Sequence, residues 1–245
     1  MLAQKPPVCQ NFDNPARPQR HPMPHSDPVP AALRAALASD DWFATCPAAL
    51  QDVLLQLGRM HPLAHGQSLF SRGGQADGLC CVTAGGLHIG ALDAEGQPAE
   101  LAYLEPYQWF GEIALIDALP RTHDAVAEGG TRVLVVPRDP LVDWLDRHPA
   151  QWRELARLAC RKLRVAFLVL EELAVLPLEE RLQRRLRLLA QGYGSREAPR
   201  RRIRLGQEVL ARMMGVSRQS VNKALKTLEA RGVLRLHYGE IELLD

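Results

Sequence analysis

The stretch IRLGQEVLARMMGVSRQSVNKALKTLEARGVLRLHYGEIELLD, residues 203–245, constrains the chain most. Gln207 to Met213 has helical spacing, Met214-Gly215-Val216 is a tight turn, and Ser217 caps a second helix reaching about Ala230. Val209, Leu210, Met213, Val216, Val221, Leu225 and Leu228 fall where two crossed helices share a core. Gly232 ends the second helix, and VLRLHYGEIEL reads as a hairpin with Gly239 in its turn. That order predicts a winged helix-turn-helix. Its second helix would enter the DNA major groove with its N-terminal residues nearest the bases. There Arg218 suits guanine, Gln219 suits adenine, Asn222 adds an amide, and Lys223 can reach guanine or phosphate. Ser217, Ser220 and the basic loop Arg200-Arg201-Arg202 would set register on phosphates without reading sequence. A winged helix can also serve protein contacts, but this exposed face is basic and hydrogen-bonding rather than apolar.

Charge supports a polyanionic partner for the same third of the chain. Residues 178–245 carry 15 Lys and Arg against 8 Asp and Glu, whereas residues 1–177 carry 15 against 20. The whole chain is nearly neutral at +2, so the asymmetry is a property of the segments.

Upstream, the grammar is that of β-structure. Residues 1–30 hold eight of the 18 prolines and few large apolar residues, which predicts a disordered tail. Ala31 to Ala38 and Pro47 to Leu57 read as short amphipathic helices. From Arg59 to Pro137 short apolar runs (MHPLAHG, QSLFSRGG, LCCVTAGGLHIGAL, AELAYL, TRVLVVP) alternate with turn signals, predicting a small antiparallel roll or jelly roll. Gly85-Gly86 and Glu95-Gly96 are the expected hairpin turns. Adjacent Cys80-Cys81 reads either as a redox pair or as two small apolar residues facing opposite sides of a strand; the second fits a chain with no metal-type cysteine spacing.

After Pro140 the pattern turns helical. Trp152, Ala156, Ala159, Leu163, Ala166, Leu170 and Leu173 recur at alternating spacings of four and three, a heptad seam flanked by charged residues. FLVL at 167–170 is apolar on every side, so the helix needs partners on two flanks: its own roll and a second copy of itself. The expected architecture is α+β, with a tail (1–30), an antiparallel β-roll domain (31–138), a dimerisation helix (139–177) and a winged helix-turn-helix (178–245).

Between roll and helix stands FGEIALIDALPRTHDA, residues 110–125. A Gly-Glu step opening a short helix, followed by Pro-Arg-Thr, suits an anion: a planar guanidinium matches phosphate, and helix N-terminal amides favour negative charge. Arg121 could instead form a structural ion pair with Glu112 or Asp117.

A glycine-rich β-roll, a heptad helix and a winged reader in that order, with FGEIAL…PRT and GVSRQSVNKALKTLE as motifs, resemble the Crp/Fnr family of bacterial transcription regulators over about residues 40–245. The resemblance implies a roll of cyclic-nucleotide-binding type. Gly111 amides, Arg121 and Thr122 would hold a cyclic phosphate, and Glu112 would accept from the ribose 2′-hydroxyl. Cyclic AMP or cyclic di-GMP would be the effector; a ligand-independent or haem- or redox-responsive regulator of the same fold is the alternative. The partners implied are a homodimer, a pseudo-palindromic operator and RNA polymerase. The chain departs from the family pattern at His123, where a small residue is usual, and at Ala166 and Phe167, which replace hydroxyls that meet the adenine amine. In the recognition helix, Gln219 replaces a glutamate and Lys223 an arginine, which changes the expected half-site.

Other classes fit less well. The histidines are scattered with no HxH pair, and no nucleophile elbow, P-loop or dinucleotide fingerprint occurs, so an enzyme is not expected. A nucleotide-dependent subunit that binds another protein would leave the polar recognition face unexplained. No run of 18 apolar residues occurs, and a soluble cytoplasmic protein without membrane contact is expected.

Overall fold

The computed structural model describes residues 29, 32–92, 98–192, 195–196 and 199–244. The tail, except residue 29, and the turn expected at Glu95-Gly96 lie outside the described residues.

Three helices open the fold: α1 (Leu33–Leu37), α2 (Asp41–Thr45) and α3 (Ala48–Leu57). Helix α2 is additional to the two helices read from the sequence. It exists because the Asp40 carboxylate caps it, accepting from the Phe43 amide at 3.0 Å. Six antiparallel strands follow: β1 (Arg59–Leu63), β2 (Ser68–Phe70), β3 (Gly78–Leu92), β4 (Pro98–Leu104), β5 (Trp109–Phe110) and β6 (Asp124–Pro137). They run in the order β1-β6-β3-β4, with β2 on β6 and β5 on β3.

The central strands lose the alternation that marks a half-exposed sheet because both faces are covered. In β6, Val133 and Val135 fill the roll interior, while Leu134 and Val136 meet the helical layer. Cys80 and Cys81 divide in the same way, one to each core. Burial raises the Cys80 thiol to about 11 and Cys81 well above its usual range, which leaves both poor nucleophiles. Gly85-Gly86 forms no hairpin. The 15-residue β3 runs through it, with two register shifts against β6 between Val82 and Gly86. A Cβ at Gly86 would sit 2.0 Å from the Tyr103 hydroxyl, so the glycine admits close packing rather than a chain reversal.

The segment expected as one long helix is two: α5 (Arg138–Arg147) and, after a 3-10 turn at Pro149–Gln151, α6 (Trp152–Val175). Leu141, Leu145, Leu155 and Leu158 bury against the helical layer. The Trp42 indole donates to the Glu154 carbonyl at 2.7 Å, and Arg161 pairs with Asp40 at 2.9 Å, so α2 fixes where α6 crosses the roll.

The last unit comprises α7 (Leu178–Ala190), β7 (Arg202–Ile203), α8 (Gln207–Met214), α9 (Arg218–Ala230), β8 (Leu234–His237) and β9 (Glu240–Leu243). Leu182, Leu186 and Leu189 of α7 belong to its core with Leu210, Val221, Leu225 and Leu228. Strand β7 makes the wing a three-stranded sheet, β7-β9-β8. The unit docks on the roll through Arg212 of α8, which pairs with Glu100 of β4 at 3.1 Å, and through Gln108, which donates to the Gly192 carbonyl at 3.1 Å.

Candidate ligand and nucleic-acid sites

The roll cassette is placed by aromatic packing. Trp109 stacks on Phe43 at 5.6 Å and meets Trp42 edge-on at 5.2 Å, locking β5 against the helical layer. Directly after β5, Gly111 takes φ 92° and turns the chain into α4 (Glu112–Asp117). A side chain at Gly111 would be strained, and its Cβ would lie 2.6 Å from the Arg121 guanidinium.

Arg121 is 2 % exposed. Its guanidinium pairs with neither Glu112 nor Asp117. It donates to the carbonyls of Gly78 at 2.8 Å and Gly111 at 3.3 Å and lies over the Phe70 ring at 4.2 Å. Main-chain bonds to Gly73 and Gly74 pin the residue, and its Nε is buried without a partner. The guanidinium is thus a buried cation with no carboxylate partner and one donor unpaired.

Glu112, 1 % exposed, is bound at 2.7 Å by Lys162 of α6. Lys162 carries no signal in the sequence beyond its place on a charged helix flank. Only the crossing of α6 over α4 reveals it, and only the pairing of β2 with β6 reveals Phe70 under Arg121. Thr122 Oγ1 lies 2.9 Å from His123 Nδ1. Burial, then the cation of Arg72, hold His123 below the usual imidazole range, and Asp124 opposes them.

On one chain the seam of α6 is open: Leu163, Leu170 and Leu173 are exposed, and Phe167 is 61 % exposed, with Ala156 and Ala166 also facing solvent and Ala159 half-buried. Trp152 departs from that set. It is half-buried on the roll's helical core, and its indole donates to Asp146 at 3.2 Å, because the 3-10 turn directs the start of α6 inward.

At the other end of the molecule, Ser217 caps α9 by accepting from the Ser220 amide at 3.1 Å, and Gly215 takes φ 63° in the turn before it. Arg218, Gln219 and Lys223 are exposed on one groove. Asn222 is less free than expected: its amide donates to Gln207 at 3.1 Å, tying α9 to the start of α8. Lys226 and Thr227 line the same groove and were legible as the next turn of that face. The basic loop is largely engaged. Arg200 pairs with Glu105 and Arg202 with Glu240, leaving Arg201 exposed. Among the described residues no cluster of His, Cys, Asp or Glu could hold a metal ion, and no helix is long and apolar enough to cross a membrane.

The cyclic nucleotide-binding domain family matches residues 60–148, and the Crp-like helix-turn-helix domain family matches residues 180–245. A CRP-like cAMP-activated global transcriptional regulator of Mycobacterium tuberculosis is 31 % identical over 182 residues, covering 74 % of this chain and 81 % of that protein. The chain belongs to the Crp/Fnr family. This Crp/Fnr regulator is also 34 % identical over 191 residues to a cyclic AMP receptor protein of Thermus thermophilus, covering 76 % and 83 % of the two chains. Among solved structures, FixK2 of Bradyrhizobium japonicum shares the fold with a TM-score of 0.67 at 20 % identity, covering 77 % of this chain and 93 % of that one. The family match thus covers the roll and the reader, the two units that carry the cassette and the polar face of α9.

Proposed function

We propose that this Crp/Fnr regulator is a homodimer that binds a pseudo-palindromic operator and whose DNA binding is set by a cyclic nucleotide at the roll, with cyclic AMP the first candidate. The observation that carries the reading is Arg121: a guanidinium 2 % exposed, with an unpartnered Nε, in a cassette whose acid Glu112 is bonded to α6. A cyclic phosphate would take the Arg121 and Thr122 donors, and the ribose hydroxyl would compete with Lys162 for Glu112. That competition would link the ligand to α6. The open seam from Ala156 to Leu173 supports pairing of α6 with a second copy. The setting of that pair would determine whether two α9 helices stand about 34 Å apart, one turn of duplex. Ligand then acts by population shift, through its different affinity for two dimer settings. The relatives named for cyclic AMP support the choice of nucleotide. Ala166 and Phe167 offer no acceptor to the purine amine, so recognition would rest on phosphate and ribose.

Calorimetry with cyclic AMP and cyclic di-GMP, on wild type and Arg121→Ala, coupled to gel shifts on family-type operators, tests this. Binding that survives Arg121→Ala unchanged removes the cassette from the mechanism. Failure of sequence-preferring DNA binding with and without nucleotide removes the regulator reading. A second reading, a ligand-independent regulator, is favoured by one observation: Lys162 already neutralises Glu112, and two carbonyls already receive Arg121. Nucleotide-independent operator binding would establish it.

A further inference from the structure

The hydroxyl of the cassette is bound by an imidazole: Thr122 Oγ1 and His123 Nδ1 are 2.9 Å apart, one residue beyond the buried Arg121. Both side chains sit in the bend just before β6, whose first residue Asp124 pairs with Gly90. Two charged groups face the ring. Arg72 approaches from the turn after β2, and Asp124 follows on β6, its carboxylate already accepting from the Arg72 amide at 2.8 Å. Arg121, two residues before the ring, donates to the Gly78 and Gly111 carbonyls.

A neutral imidazole that carries its proton on Nε2 accepts at Nδ1, and the Thr122 hydroxyl proton is then spent on the ring. A protonated imidazole has donors at both nitrogens, so Nδ1–H must point at Oγ1, and the hydroxyl proton is released to donate elsewhere. Protonation therefore does two things at the same place. It adds a positive charge, and it turns the Thr122 hydroxyl from a donor to histidine into a donor to ligand. We infer that His123 couples binding of a phosphodiester ligand at the roll site to proton uptake. The inference rests on the proposal that the cassette receives a cyclic nucleotide.

The sign follows from the surroundings. With burial and Arg72 holding the ring below its usual range, His123 is mostly neutral in the free protein at pH 7. A bound phosphodiester raises the affinity of the ring for its proton, so ligand affinity rises as pH falls from 8 and levels off once the free protein is itself protonated. The phosphodiester keeps a single charge throughout that range and contributes no titration of its own. A rise of one unit in the histidine pKa gives about a tenfold gain in affinity across the window.

Calorimetry with cyclic AMP and with cyclic di-GMP at pH 8, 7 and 5.5, each in two buffers of different ionisation enthalpy, tests the coupling. Wild type is expected to bind about five- to tenfold tighter at pH 5.5 than at pH 8, with net proton uptake. His123→Gln, which cannot titrate, is expected to bind with a profile flat within about twofold. Should His123→Gln fold poorly, His123→Ala serves, and the C2-proton NMR titration of wild type must show the His123 midpoint moving upward when ligand is added. A pH-independent affinity in wild type, or the same pH dependence in wild type and variant, overturns the inference and leaves the ligand reading intact. Absence of binding of both nucleotides at every pH overturns the ligand reading and this inference with it.

Discussion

Lys162 and Glu112 form a lopsided pair, and the asymmetry has a measurable consequence. The glutamate side chain is 2 % exposed and the lysine side chain 37 % exposed, with 2.7 Å between their charged atoms. Lys162→Met leaves a carboxylate sealed beneath α6 without its cation, which costs about 1–3 kcal/mol for an unpaired buried polar group. The upper end for a fully buried pair does not apply, since Lys162 already reaches water. Glu112→Gln leaves a lysine free to swing into solvent, and exposed charges lose little, about 0–1 kcal/mol. The double variant then removes both charges and is expected to recover most of the Lys162→Met loss. All four tryptophans, Trp42, Trp109, Trp144 and Trp152, lie in the roll and its helices, so their fluorescence reports this unit without the reader. At about 2–4 °C per kcal/mol, Lys162→Met should lower the midpoint by roughly 2–12 °C and Glu112→Gln by under about 4 °C. Cyclic AMP should restore part of the Lys162→Met loss, because a ribose hydroxyl would replace the missing donor. Equal losses in the two single variants, or strict additivity in the double, would refute the assignment of the carboxylate as the sealed partner.

Other outcomes follow from the two ends of the molecule. Gln219→Ala should cost about 1–3 kcal/mol on the preferred operator and little on random duplex, measured by fluorescence anisotropy with both DNAs. Arg201→Ala should weaken all duplexes alike and lower the slope of log K against log salt by about one. Leu163→Glu with Leu170→Glu places charges in the open seam of α6 and should convert a dimer to monomer in sedimentation velocity; an unchanged sedimentation coefficient would exclude α6 as the interface. In protein carrying Cys9→Ser, Cys160 should react readily with a thiol reagent. Cys46, raised by burial to about 12, Cys80, raised to about 11, and Cys81 should react only on unfolding.

The reader was nearly complete in the sequence, because its determinants are local. A Ser217 side chain meets an amide three residues away, Gly215 and Gly239 sit where φ is positive, and the apolar positions of α8 and α9 are set by helical period. The cassette was legible in the same way at Gly111, where the backbone itself demands glycine. Hairpin logic failed at Gly85-Gly86, since a glycine that accommodates the ring of Tyr103 has the same one-letter signature as a glycine in a turn.

By itself the sequence determined the order of the units, the Ser217 cap, the turns at Gly215 and Gly239, and which faces are apolar. Only the tertiary structure decided which charges are spent on which partners. Glu112 meets Lys162 across 50 positions, Arg200 meets Glu105 across 95, and Arg212 meets Glu100 across 112. A charge count sees 15 cations in the last third, but it cannot separate those free for phosphate from those holding the reader on the roll. Such pairings depend on how α6 and α8 meet the sheet: buried contacts of Trp42, Trp109 and Leu155 hold α6 on the helical side of the roll, while α8 packs in the separate core of the last unit. The physical reason is range: hydrogen bonds and φ angles are settled among neighbours, whereas electrostatic partners are chosen by packing after the chain has folded.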